Sequence, residues 1–142
     1  MNLLANFRDK SEGVLNARGD TGPVAVLDIG SNSVRLVVYE RLSRALTPLF
    51  NEKASCSLGR GVATTGRIAD ENLQLAIQAI RRFALITRLM NVEDVHVIAT
   101  SAVREAENGP AFMDEVKTLM DREGMVLTGS QEAHYAALGV VS

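Results

Sequence analysis

Tryptophan is absent from this sequence, cysteine occurs once and proline three times, and two tyrosines with four phenylalanines bring the aromatics to only 4%. A single cysteine, Cys56, excludes an internal disulfide and fits a reducing compartment. Read as a small, half-buried strand residue, it needs no reactive role. Charge of neither sign dominates, because 15 Lys and Arg face 17 Asp and Glu for a net charge of −2. That balance argues against a general nucleic-acid or membrane-surface role. No apolar run reaches the roughly 20 residues that span a bilayer. The opening from Met1 to Lys10 lacks the apolar core and cleavage site of a signal peptide, so a cytoplasmic protein is expected. What the chain does have is aliphatic content. Its 142 residues are 46% hydrophobic and 23% charged, enough for one soluble domain with its own core.

The most informative stretch runs from Val24 to Glu40. Val24 to Leu27 reads as a buried strand and Val34 to Tyr39 as a second, with Val34, Leu36 and Val38 on one face. Asp28 ends the first strand, and Gly30-Ser31-Asn32-Ser33 makes the reversal. Gly30 allows positive φ or a close backbone approach, while the next three residues offer hydroxyls, an amide and backbone N–H groups. Such a turn is a concave cluster of donors suited to phosphate. A carboxylate beside it would repel bare phosphate, so Asp28 makes sense with a divalent cation or a nucleophilic water in between. A plain hairpin turn with Asp28 bonded to its own backbone is the competing reading of the same residues.

The rest of the chain supplies a framework. Residues 1–22 precede any regular pattern and read as a loose tail, and residues 23–142 as the domain. A turn is expected over Arg41 to Ala45, then a third strand from Leu46 to Ser57, which Pro48 marks as an edge. The glycine-rich stretch from Leu58 to Gly66 reads as a loop, with Arg60 as a weak substrate-facing candidate. Asp70 is expected to cap a helix reaching about Leu89, with Leu73, Ala76, Ile77, Ile80, Ala84 and Leu85 as its buried stripe. Val95 to Ala99 reads as a strand, and His96 on it as structural, without metal-ligand neighbours. Thr100, Ser101 and Arg104 follow at that strand's carboxyl end, where open α/β sheets gather ligands. An arginine fork there suits phosphate, although pairing with Glu105 or Glu107 explains it equally well. A further helix starts at Asn108-Gly109-Pro110, carries Phe112, Met113, Val116, Leu119 and Met120 as core, and ends at Gly124. Met125 to Thr128 then forms a last strand, and Ser130 caps a final helix with Glu132 in its first turn, where a dipole role suffices.

The string Asp28-Ile-Gly-Ser-Asn-Ser33 at a buried strand end resembles the first phosphate-binding hairpin of the exopolyphosphatase / guanosine pentaphosphate phosphatase family. That family belongs to the actin-like ATPase superfamily. The Thr100-to-Arg104 step and Thr128-Gly-Ser-Gln-Glu132-Ala133 resemble two further family segments. The order of strands and helices is similar to one ribonuclease H-like half of that superfamily, an α/β fold with a mixed five-stranded sheet and helices packed on it. Two helical crossovers make the later strands parallel beside an antiparallel meander.

The resemblance implies hydrolysis of a phosphoanhydride in inorganic polyphosphate, with guanosine pentaphosphate as the other substrate. Gly30, Ser31, Asn32, Ser33 and Arg104 would hold phosphate, Asp28 would position a magnesium ion, and Glu132 would be the catalytic base. Gln131 departs from the family, which often has an acid there. The family's second phosphate loop and second half-domain are not in this sequence, so a fragment with little activity of its own is expected. Homodimers are expected of full-length relatives. Two other classes stay open: an ATP-dependent kinase or ATPase of the same superfamily, and a catalytically silent phosphate-binding regulatory domain.

Overall fold

A computed structural model describes residues 22–40 and 48–137. The tail over residues 1–21, the turn over Arg41 to Ala45 and the last residues, 138–142, lie outside the described residues. The strands are β1 (Val24–Ile29), β2 (Ser33–Tyr39), β3 (Pro48–Ser55), β4 (Asp94–Ala99) and β5 (Gly124–Val126). The helices are α1 (Val62–Thr65), α2 (Asp70–Leu89), α3 (Ser101–Glu105), α4 (Gly109–Met120) and α5 (Gly129–Ala137). One five-stranded sheet has the order β3-β2-β1-β4-β5. β1 and β2 pair antiparallel, as do β2 and β3, whereas β4 lies parallel to β1 and β5 parallel to β4. This is the mixed sheet expected of a ribonuclease H-like half. Pro48 begins β3 at the sheet edge, where a missing N–H costs no ladder bond.

Alternation along the strands sets the core. Leu27 and Ile29 of β1 lie opposite Leu36 and Val34 of β2, and beside Val97 and Ala99 of β4, all of them buried. α2 and α4 pack their apolar faces in the same cluster, through Ala76, Ile80 and Phe83 on one and Phe112, Val116 and Met120 on the other. The stripe on α2 differs from the expected one at its end. Leu85 is 53% exposed, and Phe83 is fully buried in its place. At 100° per residue, Phe83, Ala84 and Thr87 continue the face of Ile80, while Leu85 is turned away by about 140°. Asp70 is the first helical residue and not the cap, which is Ala69, so Asp70 and Glu71 act on the helix dipole.

Two further boundaries move for local reasons. α4 ends at Asp121, which takes a left-handed conformation with φ 55°, so Gly124 is free to begin β5. There it is tightly packed, because a Cβ would run into Met113 and Val97. Gly109 is more confined still, against the backbone carbonyl of Val103. The expected loops also hide two short helices, α1 and α3, too brief to leave an apolar period.

Cys56 is 1% exposed and donates its S–H to the Ala54 carbonyl at 3.4 Å. Burial pushes its thiol above the usual range, partly offset by a backbone hydrogen bond to Val34. Since the thiolate is the reactive form, native protein at pH 8 is expected to react with iodoacetamide roughly tenfold or more slowly than the urea-unfolded chain. Equal rates would show that this strand end opens freely.

Candidate active site

The site grows from the carboxyl ends of three parallel strands. Thr100 donates its N–H to the Ile29 carbonyl at 3.1 Å, and Leu127 donates to the Ala99 carbonyl at 2.8 Å. The residues after β1, β4 and β5 therefore emerge on one rim, with successive strands about 4.8 Å apart.

At β1 the reversal is closed by Gly30 N–H on the Ser33 carbonyl at 2.9 Å. Gly30 does not use a positive φ. What it supplies is closeness: a Cβ there would lie 3.3 Å from that carbonyl oxygen. The segment after β3 then fastens onto the turn. The Asn32 carbonyl accepts from Cys56 and Ser57 at 3.1 and 3.0 Å, and the Ser31 carbonyl accepts from Gly59 at 2.8 Å. Ser57 is held in a left-handed conformation (φ 50°), and its carbonyl accepts from the Asn72 side chain of α2 at 3.0 Å. The carbonyls of Ser31, Asn32 and Ser33 are thus committed to protein donors. Among the described residues, the N–H groups of Ser31 and Asn32 have no backbone acceptor. A turn with three oxygens bound to protein donors and two amides without a backbone acceptor is suited to an anion.

Ser31 and Asn32 line an open cleft of about 420 Å³ together with Ser57, Gly59, Arg60, Ser101 and Glu105. Ser31 and Ser101, seventy positions apart, are joined Oγ to Oγ at 2.7 Å. Gly59 also lies close to Ser31, where a Cβ would come within 3.0 Å of the Ser31 Cβ. Gly59→Ala is accordingly expected to cost about 1–3 kcal/mol of stability by overpacking. Gly129→Ala, with open space around the position, is expected to cost nothing measurable. Urea midpoints of the two variants check this.

Arg104 and Glu132 meet beside this cleft. Arg104 Nη1 donates to the Leu127 carbonyl at 2.8 Å and to Glu132 Oε2 at 3.1 Å, and its Nη2 reaches Glu105 at 3.4 Å. The pair is about 30% exposed. Glu107, the other expected partner of Arg104, faces Arg67 at 3.6 Å.

Glu132 owes its position to the start of α5. Thr128 and not Ser130 caps this helix: Gln131 N–H donates to Thr128 Oγ1 at 3.2 Å, and Thr128 N–H donates to Gln131 Oε1 at 2.9 Å. This reciprocal capping box works with Gln as well as with Glu. Gln131 therefore has a local structural role that needs no acid.

The remaining candidates lie around the cleft and not on its wall. Asp28 is 7% exposed at the end of β1, directly across from Arg35 of β2. Ser33 is buried as the first residue of β2, opposite Ser55. Among the described residues, no group of three His, Cys, Asp or Glu side chains is arranged to hold a metal. His96 has a carboxylate neighbour that the spacing argument passed over: its Nε2 lies 2.6 Å from Oδ1 of Asp94, two residues back on the same strand face. Ser57, Gly59, Asn72 and Arg35 were also missed. Their signal was spatial, since each acts on a turn distant in sequence or on the neighbouring strand.

The profile of the Ppx/GppA phosphatase family matches residues 37–142. This chain belongs to the Ppx/GppA phosphatase family. It is 31% identical over 118 residues to exopolyphosphatase 1 of Mycobacterium tuberculosis, covering 82% of this chain and 34% of the relative. A guanosine-5′-triphosphate,3′-diphosphate pyrophosphatase of Photobacterium profundum is 26% identical over 116 residues, covering 82% of this chain and 23% of that protein. Among solved structures, the Aquifex aeolicus Ppx/GppA family member superposes with a TM-score of 0.74 at 34% identity, over 84% of this chain and 39% of that one. An exopolyphosphatase from Cytophaga hutchinsonii gives 0.72 at 29% identity, over 79% and 36%. The Ppx/GppA chain therefore spans about a third of the length of that mycobacterial exopolyphosphatase and under a quarter of the pyrophosphatase.

Proposed function

We propose that this Ppx/GppA chain forms one wall of the cleft of an exopolyphosphatase, which hydrolyses the terminal phosphoanhydride of inorganic polyphosphate or of guanosine pentaphosphate. The observation that carries the reading is the arrangement of the rim. The β1–β2 turn, whose Ser31 and Asn32 amides have no backbone acceptor among the described residues, and the Arg104–Glu132 pair both follow strand ends on that rim, although more than seventy residues separate them. The shared family and the names of its relatives support the phosphoanhydride substrate. Because those relatives are much longer, we assign full activity to a protein in which a second half-domain completes the cleft, as a homodimer where the family dimerises.

In this reading the amides of Ser31 and Asn32 receive oxygens of the terminal phosphate, with Gly30 allowing the close turn and Ser33 anchoring it to β2. Three of the five guanidinium donors of Arg104 are engaged, and the others remain to meet phosphate. The charge-assisted bond from Arg104 also orients the Glu132 carboxylate, which takes a proton from the attacking water within about 3 Å. Positioning and charge neutralisation carry most of the rate in phosphoryl transfer, so no covalent nucleophile is required. Magnesium is commonly held by one or two carboxylates plus substrate phosphates, and buried Asp28 fits the protein's share of such a site. A bound ion would neutralise phosphate charge there.

Phosphate release from long-chain polyphosphate with magnesium by a full-length protein that contains this chain, set beside release from guanosine pentaphosphate and ATP, tests the reading. Preference for ATP would favour a superfamily kinase or ATPase. Tight phosphate binding without turnover would favour a silent regulatory domain. Gln131 lends the silent reading no support, since the capping box accounts for it.

A further inference from the structure

We propose that Ser101 is a positioning residue for the phosphate seat, fixing the hydroxyl of Ser31 so that one O–H is aimed at the bound phosphoryl group. The inference rests on the phosphate-binding reading above and extends it to a residue that the family resemblance does not assign.

Two serine hydroxyls joined at 2.7 Å share one proton in the bond between them. The second proton is left over, and when Ser101 donates to Ser31 it is the Ser31 O–H that is left to point elsewhere. Both residues line the cleft, so the leftover O–H has an anion within its range of directions. An isolated Ser31 hydroxyl would sample three staggered rotamers and present its donor only part of the time. Here Ser101 holds the Ser31 hydroxyl, and Gly59 lies close against the Ser31 side chain. Glu105 lines the same cleft and opposes an anion by charge, but its carboxylate is drawn to Arg104 at 3.4 Å. Charge at this cleft therefore comes from the arginines, and direction from the serine pair.

The test uses this chain with inorganic tripolyphosphate as the probe, measured by titration calorimetry and by the NMR shifts of the Ser31 and Asn32 amides. Ser101→Ala is expected to weaken binding about fivefold, the scale of one hydrogen bond, with an unchanged melting temperature. Ser101→Thr keeps the hydroxyl and is expected to restore most of the loss. In a double-mutant cycle, Ser31→Ala with Ser101→Ala is expected to bind no more weakly than Ser31→Ala alone, because Ser101 acts through Ser31. Full binding by Ser101→Ala, no rescue by Thr, or additive losses would each overturn the inference. If Ser31→Ala binds normally and tripolyphosphate moves neither amide, the phosphate reading fails along with it. If Ser31→Ala weakens binding while Ser101→Ala does not, the role of Ser101 alone falls.

Discussion

Glu132→Gln, introduced into a full-length protein that contains this chain, is expected to lower phosphate release from polyphosphate at least about a hundredfold, the usual contribution of a general base. The substitution is chosen for what it leaves intact. A glutamine oxygen still accepts the Arg104 bond now made at 3.1 Å, and the capping box formed by Thr128 and Gln131 is untouched. The melting temperature and KM should therefore change little, while kcat collapses because the amide cannot take a proton from water. Steady-state rates with magnesium and long-chain polyphosphate decide the matter. Unchanged turnover would remove Glu132 from the mechanism and leave its pairing with Arg104 a structural contact.

The second large effect concerns stability. Phe83 is fully buried in the cluster where α2 meets the sheet. Phe83→Ala removes a whole ring from a site enclosed on all sides, and core losses of this kind cost about 3–5 kcal/mol. Domains of this size are stable by only about 5–15 kcal/mol, so the variant should unfold at much lower urea and melt roughly 10 °C or more below the parent. Leu85→Ala and Leu89→Ala on the same helix are the comparison. At 53% and 73% exposure these leucines should cost within about 0.5 kcal/mol each, provided nothing covers them. Similar losses in all three variants would mean that a partner covers the leucines, or that the Phe83 site closes over its cavity.

Much of the architecture was legible in the chain. The alternation of Val34, Leu36 and Val38 gave β2 its buried face, and the helical spacing of Ala76, Ile77, Ile80 and Ala84 gave α2 its own. The order of elements gave the mixed sheet, because helical crossovers return strands parallel. Boundaries were less legible. Asp121 ended α4 before Gly124 did, and Thr128 capped α5 in place of Ser130, because each contest lay between neighbours with similar local preferences.

The site divides in the same way. The β1–β2 turn was visible as a short run of small polar residues after a strand, since its chemistry is contiguous. Sequence by itself thus determined which residue types stand at the strand ends, and through two periodicities which faces are buried. Only the tertiary structure decided that Gly59 presses on Ser31, that Ser101 bonds to it, and that Arg104 grips Glu132. Those contacts join segments 28 to 70 residues apart: parallel pairing of β1, β4 and β5 brings the last two together at a single rim, and the antiparallel β1–β2–β3 meander brings Gly59 to Ser31. Local periodicity carries no information about such distances; packing does.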